Sequence, residues 1–157
     1  MDNNNAQAQS VYESICSLCD DLEFVYERHD DELYITLTIT GDDIPMRMGL
    51  FVRADRDLVR LLSPMPFKVS EDRRAELALA VAYANYGIID GSFDYDIVDG
   101  AITFRMTASY IESILSKELF KYMLFVSSQT IDRYNDKFLM LSKGMITLEK
   151  FIESEKE

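Results

Sequence analysis

The segment from Asn85 to Arg105, NYGIIDGSFDYDIVDGAITFR, holds a helix end, a turn and a β-hairpin in one line. Asp99-Gly100 suits a two-residue loop of the mirror-image type, in which both central residues take positive φ. Closing the strands on it pairs Val98 with Ala101, Ile97 with Ile102, Asp96 with Thr103, Tyr95 with Phe104, Asp94 with Arg105 and Phe93 with Met106. Phe93, Tyr95, Ile97, Ile102, Phe104 and Met106 then share one face. Asp94, Asp96, Thr103 and Arg105 share the other. The segment fixes an antiparallel topology and carries no reaction chemistry of its own.

Around it the chain reads as an α+β domain with an antiparallel β-sheet flanked by helices, in the order α-βββ-α-ββ-α and a last short helix. Residues 1–9 are polar and read as a disordered tail. Val11, Ile15, Leu18 and Leu22 form one helical stripe over about 10–22. Leu33, Ile35, Leu37 and Ile39 alternate with Tyr34, Thr36, Thr38 and Thr40, a half-buried strand. Met46, Met48, Leu50 and Val52 carry the next strand, with Arg47 and Arg53 on its other face, and residues 58–62 form a third. For Phe24–Glu27 a strand and a loop are equally open. Ser63-Pro64-Met65-Pro66 breaks the sheet, and Ser70, followed by Glu71 and Asp72, caps a helix reaching about Tyr86. Ser116 caps a long helix to about Ser142, and Ser109 with Glu112 fits a capping box for a short turn before it. Gly144 ends the long helix. Residues 10–144 make one domain, and 145–157 a C-terminal amphipathic helix.

The helix from Ser70 is apolar nearly all round, so both of its sides need cover. Ala75, Ala78, Leu79, Ala82 and Tyr86 lie on one side and Leu77, Ala80, Val81 and Ala84 on the opposite one. A sheet covers one face only. A second copy of the chain, related by a two-fold axis, would cover the other, so the first set is the expected dimer interface. Leu148, Phe151 and Ile152, the apolar side of the last helix, are the expected partner surface.

The charge balance excludes whole classes of function. Sixteen Lys and Arg against 28 Asp and Glu give a formal charge of -12. Nucleic-acid phosphates and anionic membranes both demand basic surfaces, so neither is an expected partner, and a neutral or basic protein segment is. No apolar run approaches the roughly 20 residues of a membrane span, and Met1 to Gln9 has no apolar secretory core; a cytoplasmic protein is expected.

No catalytic constellation, metal site or cofactor motif emerges. Cys16-Ser17-Leu18-Cys19 is formally C-x-x-C, but redox chemistry needs the pair at a helix N-terminus after a strand, and this one lies inside a helix. Zinc wants four ligands, and only His29, Asp20 and Asp21 are nearby. The cysteines flank the apolar stripe and read as edge-of-core residues. His29, the single histidine, sits in a charged turn with no nucleophile motif to serve. Asp94-x-Asp96-x-x-Asp99-Gly100 lacks the closing Glu of a calcium loop. The eight methionines read mainly as core filling.

Asn85, Gly91-Ser92-Phe93-Asp94, Asp99-Gly100-Ala101-Ile102-Thr103-Phe104-Arg105, Asp132-Arg133-Tyr134 and Gly144, with the Pro-rich break before Ser70-Glu71-Asp72-Arg73-Arg74, resemble the YbjN family. That family is described as bacterial sensory-transduction regulators without established enzymatic activity, similar in fold to class I type III secretion chaperones. The resemblance spans about Ser10 to Gly144. It implies a type III secretion chaperone-like fold, a homodimer, an extended polypeptide as partner, and no catalytic residues to carry over. The expected function is therefore a non-enzymatic chaperone-like or regulatory adaptor that binds a protein or peptide segment. The alternative is a small-ligand sensory domain with a pocket between the sheet and the long helix.

Overall fold

Alternation along three consecutive strands decides the architecture. In the computed structural model, which describes residues 3–156, these are β2 (Tyr34–Thr40), β3 (Pro45–Arg53) and β4 (Leu58–Lys68). Ile35, Leu37, Met46, Met48, Leu50, Val52, Val59 and Leu61 all point to one side and are buried. Short β1 (Tyr26–His29) pairs with β2 at one edge, so the segment left open between strand and loop supplies an extra strand. At the other edge lie β6 (Ala101–Ser109) and β5 (Ser92–Tyr95), giving the antiparallel order β1-β2-β3-β4-β6-β5. Helices α1 (Asn3–Asp21), α2 (Arg74–Gly87) and α3 (Lys117–Ser142) pack over the apolar face, and α4 (Leu148–Ser154) packs on α2 and α3.

Helix α1 starts at Asn3, so residues 3–9 are not a tail; Met1 and Asp2 lie outside the described residues. Two side chains tie that first stretch down. Ala8 is fully buried, and the Gln7 Nε2 amide donates to the carbonyls of Tyr110 (3.0 Å) and Ser113 (3.2 Å). A polar composition concealed both.

The prolines do not break the sheet. Strand β4 runs through Pro64 and Pro66, with its register slipping between Pro64 and Lys68. Proline lacks the N–H that a ladder needs on both sides. Here β3 pairs with β4 only as far as Gly49 opposite Leu62, so beyond that point β4 has β6 alone as neighbour. Where the β3 ladder ends, the buried Ser63 hydroxyl donates to the Arg47 carbonyl at 2.9 Å. Ser70 precedes a 3-10 turn (Glu71–Arg73) rather than α2 itself, and its side chain makes no capping bond. Residues 111–113 form a turn, not a helix, before Ser116, whose Oγ accepts the Leu119 N–H at 3.3 Å and caps α3. At the far end of α3 the Gly144 N–H reaches the Leu141 carbonyl and the Met145 N–H the Met140 carbonyl (3.0 and 2.8 Å). That pair of bonds, with Gly144 at φ +69°, closes the helix as a Schellman motif.

The β5–β6 hairpin has its two faces as expected but a register displaced by two residues. Tyr95 lies opposite Ile102 and Phe93 opposite Phe104, so the loop is the four residues 97–100. Asp96 sets it: its carboxylate accepts the Val98 and Asp99 N–H groups (2.8 and 3.3 Å), and the Gly100 N–H returns to its carbonyl at 2.7 Å. The Asp side chain stands in for a backbone turn, and the longer loop wins over the Asp-Gly one. Ile97 consequently leaves the apolar face and is 53% exposed. Arg105 still grips Asp94 on the polar face (2.7 and 3.0 Å), now as a diagonal neighbour.

Only glycine fits position 100. Its φ is +80°, and a Cβ there would lie 2.2 Å from the Val69 carbonyl oxygen. Gly100→Ala should therefore cost about 2–4 kcal/mol in urea unfolding. A loss below about 1 kcal/mol would mean that the hairpin loop is free to rearrange.

Candidate partner-binding surface

Helix α2 presents two unequal faces. Leu77, Ala80, Val81 and Ala84 are buried against β5, α3 and α4. On the opposite face Ala75, Leu79, Ala82 and Tyr86 are exposed and Ala78 is half-buried. Leu79 is 61% exposed and Tyr86 92%. Residues spaced i, i+3, i+4, i+7 form one continuous stripe, and Ile89, 95% exposed just past the helix end, extends it. Below Ile89 the Tyr122 hydroxyl on α3 bonds the Asp90 carboxylate. The apolar stripe named from the sequence is thus open to solvent in the single chain, and neither α3 nor α4 closes it.

The last helix is placed otherwise than expected. Phe151 is fully buried, stacked on Phe138 at 5.6 Å, and Leu148 and Ile152 are half-buried against the core. Their apolar side is already used within the chain, so Leu148, Phe151 and Ile152 do not form an open partner surface. Charge holds α4 down as well. The Glu155 side chain is 4% exposed and takes Arg133 Nη2 at 2.9 Å and the Lys137 ammonium. Burial pushes the Glu155 carboxyl up, but the hydrogen bonds from Lys137 and Tyr134 and the Arg133 charge outweigh it, so the net shift is downward.

No cleft opens between the sheet and α3. Phe104, Met106, Phe120, Leu124, Ile131 and Phe138 fill that layer, each no more than 8% exposed. Among the described residues, surface hollows lie beside β1, on the bare sheet face, next to the hairpin loop, and on the outer side of α3, where Val126, Thr130 and Arg133 face Ile88 and Ile89.

The remaining candidates have structural neighbours. Cys16 and Cys19 are free and fully buried rather than at the core's edge. Burial raises both thiols, Cys19 to about 12. His29 is half-buried, its ring stacked on Tyr34 at 4.0 Å. Asp94 pairs with Arg105, Asp96 caps the loop, and Asp99 binds Lys68 Nζ at 2.6 Å. Among the described residues no three His, Cys, Asp or Glu side chains gather as a ligand set, and no helix is long and apolar enough to cross a membrane.

Two measurements check this placement. The thiols should not react with a disulfide reagent at pH 8 in the native state, and both should react in denaturant; rapid native labelling of either would contradict their burial. Glu155→Gln should cost about 1–2 kcal/mol near neutral pH. A carboxyl with a lowered folded pKa contributes stability above its unfolded value, near 4.3, and loses it as pH falls through the folded value. The gap between wild type and Glu155→Gln should therefore shrink on acidification below about pH 4.3. A gap that stays constant would remove the ionic role.

Solved structures of the same fold exist. YbjN from E. coli matches with a TM-score of 0.55 at 12% identity, over 80% of this chain and 92% of that one. A chain of the ExsC–ExsE complex matches at 0.55 and 15%, over 87% and 96%. A chain of the HopA1–SchA chaperone–effector complex matches at 0.56 and 14%, over 82% and 95%. At these identities the likeness is one of fold, and it is the chaperone-like fold expected from the sequence. No curated protein sequence matches the chain. The model of the YbjN family, "Putative bacterial sensory transduction regulator", matches residues 12–140, and the chain belongs to that family.

Proposed function

We propose that this protein is a non-enzymatic, cytoplasmic adaptor that works as a homodimer and binds a segment of another polypeptide. The observation that carries the reading is the open stripe on α2, from Ala75 through Leu79, Ala82 and Tyr86 to Ile89. Scattered exposed apolar residues are ordinary, whereas a continuous helical stripe on an ordered helix is a surface built for contact. Its alanines permit close approach, Leu79 and Tyr86 supply bulk, and a two-fold axis lets the stripe cover itself. Two of the matching structures are complexes between proteins, which supports a protein as the partner. The filled layer between sheet and α3 weighs against the small-ligand alternative, which needs a concave pocket there.

Light scattering should return about twice the 18.1 kDa chain mass at micromolar concentration. Leu79→Glu combined with Tyr86→Glu should raise the dimer dissociation constant by at least about 100-fold, since two charges from each protomer would then be buried without partners. A wild-type monomer, or a double variant that stays dimeric, refutes the interface. Partner binding should bury apolar area and give a negative heat-capacity change. If pull-downs from the source cell return no protein while a metabolite raises the melting temperature, the sensory-domain reading replaces this one.

A further inference from the structure

The bare face of the sheet has the opposite charge character from the chain as a whole. Outward-pointing residues of β3, β4 and β6 include Arg47, Arg53, Arg60 and Arg105, and Arg56 stands in the turn between β3 and β4. Arg53, Arg56, Arg60 and Arg105 line one shallow hollow with Leu58 and Thr107. Two of these cations are already neutralised. Arg53 binds Asp55 at 2.8 Å and Arg105 binds Asp94 at 2.7 Å. Arg47, Arg56 and Arg60 have no carboxylate partner among the described residues. Arg60 goes further: its Nε is buried and has no acceptor. A buried donor left unpaired costs stability, and in a chain with 28 acidic side chains any one of them within reach would have relieved it.

The surroundings of Arg60 are apolar and flat. The pairing register places His29, Tyr34, Phe51, Arg60 and Thr107 in one row across five strands. Within it Tyr34 stacks on Phe51 at 4.9 Å, and the Arg60 backbone lies directly opposite Phe51. Leu58 and Leu62, half-buried, flank Arg60 along β4. The face is therefore an apolar shelf studded with guanidiniums. Arg47 lies four residues along β3 from Phe51, the residue opposite Arg60, a span of about 13 Å. That is too long for one phosphate-sized anion and fits several separate acidic groups.

We propose that this face binds an acidic polypeptide segment. Carboxylates of the segment pair with Arg47, Arg56 and Arg60, and its apolar side chains rest on Tyr34, Phe51 and Leu62. Planar guanidiniums bind carboxylates through two parallel hydrogen bonds, which the solvent-facing ends of Arg47, Arg56 and Arg60 can offer. A nucleic-acid strand is the less suitable polyanion. Its charge is continuous, so it would also meet Glu27, Asp55 and Asp94 beside these arginines and the field of a chain at -12. A polypeptide can carry its charges only where the arginines are. The proposal rests on the protein-binding reading above and refines it, because net charge alone would have favoured a neutral or basic segment.

The test uses the full chain, fluorescence anisotropy, and a fluorescein-labelled peptide of about twelve residues with four Glu set among Val and Ser. The comparison probes are the same peptide with Gln for Glu, and an oligothymidylate of about twelve nucleotides. Saturable binding of the Glu peptide, at least about tenfold tighter than the Gln peptide and weakened from low salt to about 0.15 M, is expected. Arg47→Gln with Arg60→Gln should weaken it at least about tenfold, while Lys121→Gln with Lys150→Gln, an equal change of charge elsewhere, stays within about twofold. Arg60→Gln should leave the melting temperature equal or higher, as expected of a residue kept for binding rather than for the fold. If it lowers the melting temperature, Arg47→Gln with Arg56→Gln, both on exposed residues, decides by the same tenfold criterion. No saturable binding, equal affinity for the two peptides, equal loss in the lysine variant, or tighter binding of the oligonucleotide overturns the proposal. Leu79→Glu lies on the helix layer, away from this face. A wild-type chain that is dimeric but does not bind the Glu peptide sinks the arginine face alone, and a wild-type chain that binds the peptide but is monomeric sinks only the α2 interface.

Discussion

The packing of rings around Phe93 and Phe138 is the constraint on which the rest of the structure depends. Phe93 on β5 meets Phe104 on β6 edge to face at 5.1 Å, and meets Tyr134 and Phe138 on α3 at 5.6 and 5.1 Å. Phe138 in turn stacks on Phe151 of α4. One cluster thus joins the hairpin, the long helix and the terminal helix, and edge-to-face geometry gives it direction as well as area. Asn85 at the end of α2 fixes the centre. Its amide accepts the Phe93 N–H at 2.8 Å and donates to the Phe93 carbonyl at 2.9 Å, taking the place of a neighbouring strand. The second helix is thereby positioned by the same residue that positions the rings.

From that anchoring follows a division of labour. The helices lie over one face of the sheet, and their own outer surfaces, above all that of α2, become the outside of the molecule. The other face keeps its half-exposed arginines and aromatics. A chain of ordinary domain size thus exposes two surfaces of different chemistry on opposite sides of the sheet, the apolar α2 stripe and the arginine-bearing face.

Much of the fold was legible where periodicity is strong. Alternation marked β2 and β3, the Val11-Ile15-Leu18 stripe marked α1, and Ser116 and Gly144 marked the ends of α3. The misreadings have separate physical causes. Asp96 drew the hairpin into a longer loop than Asp99-Gly100 asks for. Gln7 and Ala8 gave order to a stretch that composition calls a tail. Pro64 and Pro66 were harmless because β4 outruns β3, which no reading of β4 by itself reveals. At the candidate surfaces, the two-faced composition of α2 could be read directly. The arginine face could not, because Arg53, Arg60 and Arg105 come together only through strand pairing, and net charge hid them.

The ladder between β4 and β6 carries one more consequence, for the order in which the chain assembles. Strands β1 to β4 follow one another and pair through short turns. Joining β4 to β6 brings together groups 52 residues apart, such as the Ser109 hydroxyl and the Asp57 carbonyl. Closing a loop of that length costs roughly 3–4 kcal/mol of chain entropy, against far less for each turn of the meander. Contact order therefore favours formation of the four-strand meander before the hairpin docks onto it. Until then the β6-facing side of β4 is an unpaired strand edge in the middle of the future sheet, and it is there that a growing chain is most open to pairing with the wrong strand.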